Sequence, residues 1–260
     1  MSFFIRYCAP AVSTYYQAET GPTTTFANAR LFTLQADADA FIAAHGMCAV
    51  SFTDAILTVN VTSGTQVIPP DNVTTFLTVE GWGGGGGGCT GAAVNGRPGG
   101  GGGAYSKIVN LPVTPGVPIT VAIGTAGGAG IPGGNGGDTS VAAGVTLLAK
   151  GGVGGPNNDA TFGTGGLASA GVGTTKFSGG DGAPRTGASG GGGGSSGGTA
   201  ANGNPGVGIV GGAAVAGGGA GGDHALDGAA PGGAGGGGDG LGAAGNGVGG
   251  KLTYTYRIGT

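Results

Sequence analysis

Glycine divides this chain in two. Only Gly21, Gly46 and Gly64 precede residue 81, and all the rest of its 71 glycines lie after it. The change is abrupt at residues 81–91, GWGGGGGGCTG, where six consecutive glycines separate the sole tryptophan, Trp82, from Cys89. Glycine loses more backbone freedom on folding than any other residue, so such a run is ordinarily a flexible linker. Here the glycine-rich stretch has both ends pinned. It leaves a strand-like segment, TSVAAGVTLLAKGG (139–152), and returns to KLTYTYRIG (251–259), in which Leu, Tyr, Tyr and Ile alternate with Lys, Thr, Thr and Arg. The expectation is an ordered body built from glycine.

A glycine backbone can order as an extended left-handed helix with three residues per turn and no internal hydrogen bonds. Packed side by side, such segments must bond to their neighbours, and only glycine lets backbones approach so closely. Runs such as GGGGG (190–194), GGGAGG (217–222) and GGAGGGG (232–238) are purer than the one-in-three glycine of collagen. They suit a lattice in which an interior segment is surrounded on all sides. The fold expected is therefore β-rich with polyglycine II helices, a glycine-rich sandwich following a small α+β N-terminal module.

Two domains are expected, a module at 1–64 and a glycine-rich domain at 65–260. In the first, FFIRYC (3–8) and ARLFTL (29–34) read as strands, DADAFIAAHG (37–46) as a helix ended by Gly46, and CAVSFTD and AILTVNVTS as strands. In the second, a Pro-Pro-Asp-Asn turn leads into a strand at 74–82, and AYSKIVNLPVTPGVPITVAIG (104–124) reads as strand, Pro-Gly turn and strand. Trp82 is expected to pack in the core where the sheet meets the glycines.

Charge excludes several functions. Nine Lys and Arg against twelve Asp and Glu give a net charge of −3, and charged residues make up 8% of the chain where about a quarter is usual. Without clustered Lys and Arg no nucleic-acid surface is expected. No apolar run approaches the roughly 20 residues of a membrane span, so no membrane insertion is expected. The N-terminal MSFFIRYCAPAV, interrupted by Arg6, does not read as a secretory signal. Cys8, Cys48 and Cys89, with no CxxC, read as free thiols of a protein made in a reducing compartment.

The motifs point away from catalysis. GAGIPG (128–133) matches a dinucleotide fingerprint, but such matches are expected by chance in glycine-rich sequence, and no helix-forming stretch follows it. Asn60 and Asn72 begin glycosylation sequons that read as strand and turn residues, and His45 reads as a helix-end residue. Asp223, His224 and Asp227 form the nearest approach to a polar constellation, read as loop surface. No cofactor, no metal and no enzymatic activity are expected, because acid–base chemistry needs positioned titratable groups and this chain has few.

A strand ending in VEGWGGGGGG, then GGGGGAYSK, then VTPGVPITVAIGTAGGAG, and a closing aromatic strand after a long glycine-rich stretch resemble the glycine-rich domains of bacteriophage tail and fibre proteins. The resemblance covers roughly residues 65–260 and extends to the T-even-type adhesins that cap long tail fibres, in which stacked glycine helices carry loops that contact a host surface protein. It implies a virion protein, a tail-fibre or tail-tip adhesin. Its receptor-contact loops would carry Asn157, Asn158, Asp159, Phe162, Lys176, Phe177, Arg185, His224 and Asp227. Residues 1–64 would join it to other virion proteins. A capsid decoration or head-fibre protein docked through those residues is the alternative. Sparsely charged edge strands imply self-association, as a trimer if the chain belongs to a fibre.

Overall fold

The computed structural model describes residues 6–7, 14–17, 21–23, 55–61, 66–70, 73–91, 95–143, 145–158, 160–240 and 242–258. They form antiparallel sheets with almost no helix beyond a 3-10 turn at Ala168–Ala170. β1 (Arg6–Tyr7), β2 (Thr14–Gln17) and β3 (Gly21–Thr23) make a three-stranded sheet. The expected strands at 29–34 and 48–54 and the helix at 37–46 lie outside the described residues.

A five-stranded sheet has the order β11 (Thr175–Phe177), β7 (Tyr105–Pro112), β6 (Thr75–Trp82), β12 (Lys251–Ile258) and β4 (Ala55–Val61). A four-stranded sheet has the order β10 (Val145–Ala149), β9 (Thr139–Ala143), β8 (Ile119–Ala122) and β5 (Gln66–Val67). Both contribute to one core, because the alternating apolar residues of each strand share a face. Phe76, Val79, Ile108, Leu111 and Leu252 from the first sheet join Val121, Val141 and Leu147 from the second. The Phe76 ring stacks on Tyr254 with centroids 4.5 Å apart. Burying each large side chain contributes about 1.5–3 kcal/mol.

β4, within the module expected at 1–64, pairs with β12 along its whole length, from Leu252 opposite Val61 to Ile258 opposite Ala55. Glycine content marks where the lattice starts, not where the sheet starts. The Pro115–Gly116 turn, in which Gly116 has φ +68, joins β7 and β8 as expected, and the two strands enter different sheets.

The glycines continue the sheet by other means. β6 and β7 pair Trp82 with Tyr105, and the same register runs on as Gly83 N–H donates to Ala104, Gly86 to Gly101 and Cys89 to Pro98. Likewise Lys251 opposite Trp82 is followed by Gly85 to Val248 and Gly88 to Gly245, and Phe177 opposite Tyr105 by Gly102 to Gly180 and Gly99 to Ala183. Past the sheet, however, only every third residue bonds to a given neighbour. The two residues between face other segments, so the flat ladder opens into a three-dimensional one.

Segment 97–104 makes this concrete. Its N–H groups donate, every third residue to the same neighbour, to segments 150–153, 180–183 and 232–238, and its carbonyls accept with the same period from 83–89, 163–166 and 191–197. Six neighbours surround one stretch of backbone. Segments 83–89 and 232–238 have the same six-fold surroundings. A Cβ on Gly86 would lie 2.3 Å from the Val153 carbonyl oxygen, and one on Gly100 2.5 Å from that of Gly86. Both distances are well inside contact, so the interior admits no side chain there.

At the outer facets, where a seventh segment would be needed, side chains stand in for carbonyls. Asn135 Oδ1 accepts from Gly154 N–H, Asp138 Oδ1 from Gly151, Asp181 Oδ1 from Gly165 and Asn202 Oδ1 from Ser178. These Asn and Asp residues satisfy backbone donors for which no other partner is found among the described residues.

Candidate functional site

The junction with the sheets fixes one end of the lattice. Trp82 is 4% exposed, packs against Tyr105 at 5.0 Å between centroids, and carries Lys251 Nζ over its ring at 5.7 Å. Thr139, fully buried, donates through its hydroxyl to the Trp82 carbonyl and accepts from Gly124 N–H. Lys150 pairs with Asp138, and Tyr105 donates to Glu80 Oε1 at 2.5 Å, with Lys107 Nζ 3.7 Å from the same oxygen. Glu80 and Lys107 thus bridge β6 and β7, and Asp138, before β9, binds Lys150 and Gly151 just after β10.

Five of the loops lie at the other end. From the junction at Gly83 the chain reaches Cys89, paired with Pro98 and next to Gly130. At that level lie residues 129–132, 156–158, 160–162, 184–189, 207–210 and 223–227. The loops touch: His224 N–H donates to the Ile209 carbonyl at 2.9 Å, Gly211 N–H to Asp223 Oδ1 at 2.8 Å, and Gly240 N–H to the Ala188 carbonyl at 3.3 Å. Gly187 and Gly208, at φ +62 and +57, make the tight turns at two tips, a conformation L side chains rarely adopt.

Six of the residues nominated from sequence fall at this far end. Asn157, Asn158, Phe162 and Asp227 are exposed, while Arg185 and His224 are half-buried. Asn158 Oδ1 accepts from the Ala160 and Thr161 N–H groups and the Thr161 hydroxyl, which shapes its own loop. Arg185 Nη1 donates to the Gly187 carbonyl at 2.9 Å. Asp227 Oδ1 accepts from both the backbone and the side-chain amide of Asn246. His224 Nδ1 is buried and makes no hydrogen bond to the described residues. Asp159 lies outside the described residues.

Lys176 and Phe177 are placed elsewhere. They belong to β11 at the sheet end, where Phe177 stacks on Tyr105 at 6.2 Å and Lys176 Nζ donates to the Gly171 carbonyl at 3.1 Å. Expected among the loops between glycine runs, residues 175–177 instead find a partner strand at the β7 edge.

Sequence reasoning overlooked the apolar part of the far end. Val207 is 73% exposed, Leu226 58%, Val210 55% and Ile131 52%, and Ile209 and Phe162 are exposed as well. The signal was V-G-I-V at 207–210, three β-branched residues between glycines, too bulky for the lattice interior and so bound to be at its surface. The resulting surface is apolar, with a few hydrogen-bonding groups held in place by backbone. Asp223 and Asp227 each accept a backbone N–H at Oδ1, and among the described residues no group of three or more His, Cys, Asp or Glu is placed to hold a metal. Among the described residues no helix is long and apolar enough to cross a membrane.

No curated protein matches the chain. A family model described as a glycine-rich domain matches residues 60–258, from the end of β4 to the end of β12, and the chain belongs to that glycine-rich domain family.

Proposed function

We propose that this chain is a non-enzymatic bacteriophage virion protein, a tail-fibre or tail-tip adhesin whose glycine segments are polyglycine II helices holding recognition loops against a host surface. The reading rests on one observation: five loops distant in sequence lie at the end of the lattice farthest from the sheets, two of them hydrogen-bonded to each other through His224 and Ile209, and large apolar side chains are exposed on four of the five. Rigid scaffolds with exposed loops are how binding surfaces are commonly built. The three-residue bonding period and the six-neighbour segments support the polyglycine II assignment. The likeness of residues 65–260 to phage fibre proteins supports the particle. Residues 1–64 then attach the chain to it.

The test is adsorption of the purified full chain to a panel of bacterial cells, beside Phe162→Ala/Arg185→Ala/Leu226→Ala. The adhesin binds a subset of strains, and the triple variant loses that binding with its melting temperature kept within a few degrees. A variant that adsorbs like the parent, or a parent that binds no strain while still entering particles, overturns the adhesin reading. The second outcome favours decoration.

A further inference from the structure

We propose that the outer edge of β4 is an interface between two copies of this chain, paired antiparallel about Thr58. β4 ends the five-stranded sheet, and among the described residues no strand pairs with its outer side. Its seven residues, AILTVNV, hold neither a charge nor a proline. Proteins guard solvent-facing edges with charges, prolines, bulges or brevity, since an open row of N–H and C=O groups invites another strand. The opposite edge of the same sheet is guarded in two of these ways, for β11 is three residues long and contains Lys176. The contrast singles out β4.

The sequence of β4 is compatible with itself. Its register with β12 sets Leu57, Val59 and Val61 beside Tyr256, Tyr254 and Leu252, all packed on or against the core, and leaves Ile56, Thr58 and Asn60 exposed. A two-fold axis through Thr58 places Leu57 opposite Val59 of the second copy, Ile56 opposite Asn60, and Ala55 opposite Val61. Every apolar residue of the core face then meets another. Thr58 is the one centre that pairs all seven residues, and it sets Thr58 against its own copy, a cross-strand pair of the favourable kind. Two five-stranded sheets become one continuous sheet, and the geometry is two-fold instead of the three-fold expected of a fibre.

Cross-linking reads the register directly. In the full chain with Cys8 and Cys48 changed to Ser, Thr58→Cys puts two thiols on directly opposed residues, within the reach of a disulfide. Mild oxidation is expected to give mostly disulfide dimer. Ile56→Cys, opposed to Asn60, is expected to give several-fold less. Sedimentation of the unmodified chain at micromolar concentration is expected to show a dimer, weakened about tenfold or more by Thr58→Lys, which sets like charges face to face on an exposed position. A monomeric parent overturns the proposal, and so does equal cross-linking at 56 and 58. Neither result touches the adsorption test, which depends on the far-end loops.

Discussion

The Thr139 hydroxyl donates to the Trp82 carbonyl at 2.5 Å while its oxygen accepts from Gly124 N–H at 2.9 Å, so one side chain joins the end of β6, the start of β9 and the first glycine after β8. All three lie where a pleated ladder gives way to three-fold bonding, and neither backbone group can turn to water, since Thr139 is 0% exposed. Thr139→Val keeps the shape and removes both bonds. Each unpaired buried group costs about 1–3 kcal/mol, so the variant should unfold several degrees lower by calorimetry. Thr139→Ser should recover most of the loss; equal losses for Val and Ser would mean that packing, not hydrogen bonding, makes the joint.

Steric exclusion in the lattice predicts a sharp contrast between two glycines. Gly100→Ala forces a methyl group to 2.5 Å from the Gly86 oxygen, whereas a Cβ on Gly128 meets nothing within 4 Å. Overpacking of this kind costs typically 1–3 kcal/mol and here displaces backbone, so Gly100→Ala belongs at or above the top of that range. Gly128→Ala should stay within about 0.5 kcal/mol. Denaturant titration of the two variants distinguishes them, and similar midpoints would refute the close-packed interior.

Alkaline pH should destabilise the sheets. Tyr105 has its phenol pushed far above the usual value by burial, then by its hydrogen bond to Glu80 and the charge of that carboxylate. Burial also raises Tyr254, with the neighbouring Tyr256 adding to it, and burial raises Tyr256. A raised folded value means the folded state keeps its proton longer. The stabilisation is complete below the unfolded value near 10 and is lost as pH rises above it, at up to about 1.4 kcal/mol per pH unit for each phenol. Melting temperature should hold level from pH 7 to about 9 and then fall. Tyr105→Phe should make the fall shallower; a parent that gains stability above pH 10 would contradict the sign.

Hydrogen exchange tests the glycine body as a cooperative unit. The amides of Gly86, Gly101 and Gly194 each bond to a different segment and sit among buried neighbours, so they should exchange only with global unfolding. Those of Asn157 and Gly187, on exposed loops, should exchange within seconds. Loss of protection at 86, 101 and 194 on the loop timescale would show that these bonds open locally.

The sheets were legible because period-two alternation in FLTVEGW, KLTYTYRI and ITVA says which face is buried. What each strand pairs with was not, since pairing depends on side-chain partners far along the chain. β4 with β12 joins residues nearly two hundred positions apart, and β11 becomes a strand only because β7 leaves an edge for it. The glycine body was legible as ordered but silent about its neighbours. Glycine has no side chain to record which segment it touches, so nothing in GGGGG distinguishes residue 191, bonded to Arg97, from residue 192, bonded to Gly208. The loop residues were legible as exceptions to glycine, and for the same reason the apolar exceptions at 207–210 carried as much information as the charged ones.

The three-residue bonding period makes the length of this body a quantity that changes in steps. Adding or removing three residues in one segment, matched by three in each segment beside it, leaves every donor facing the same neighbour as before. One or two residues would rotate the whole segment toward the wrong partners. On the polyglycine reading a step moves the loops by about 9 Å, three residues at about 3.1 Å each. Because interior glycines hold no complementary side chains, such a step needs no compensating substitutions. Reach and loop sequence can therefore drift independently, the first by triplets within the segments and the second freely at their ends.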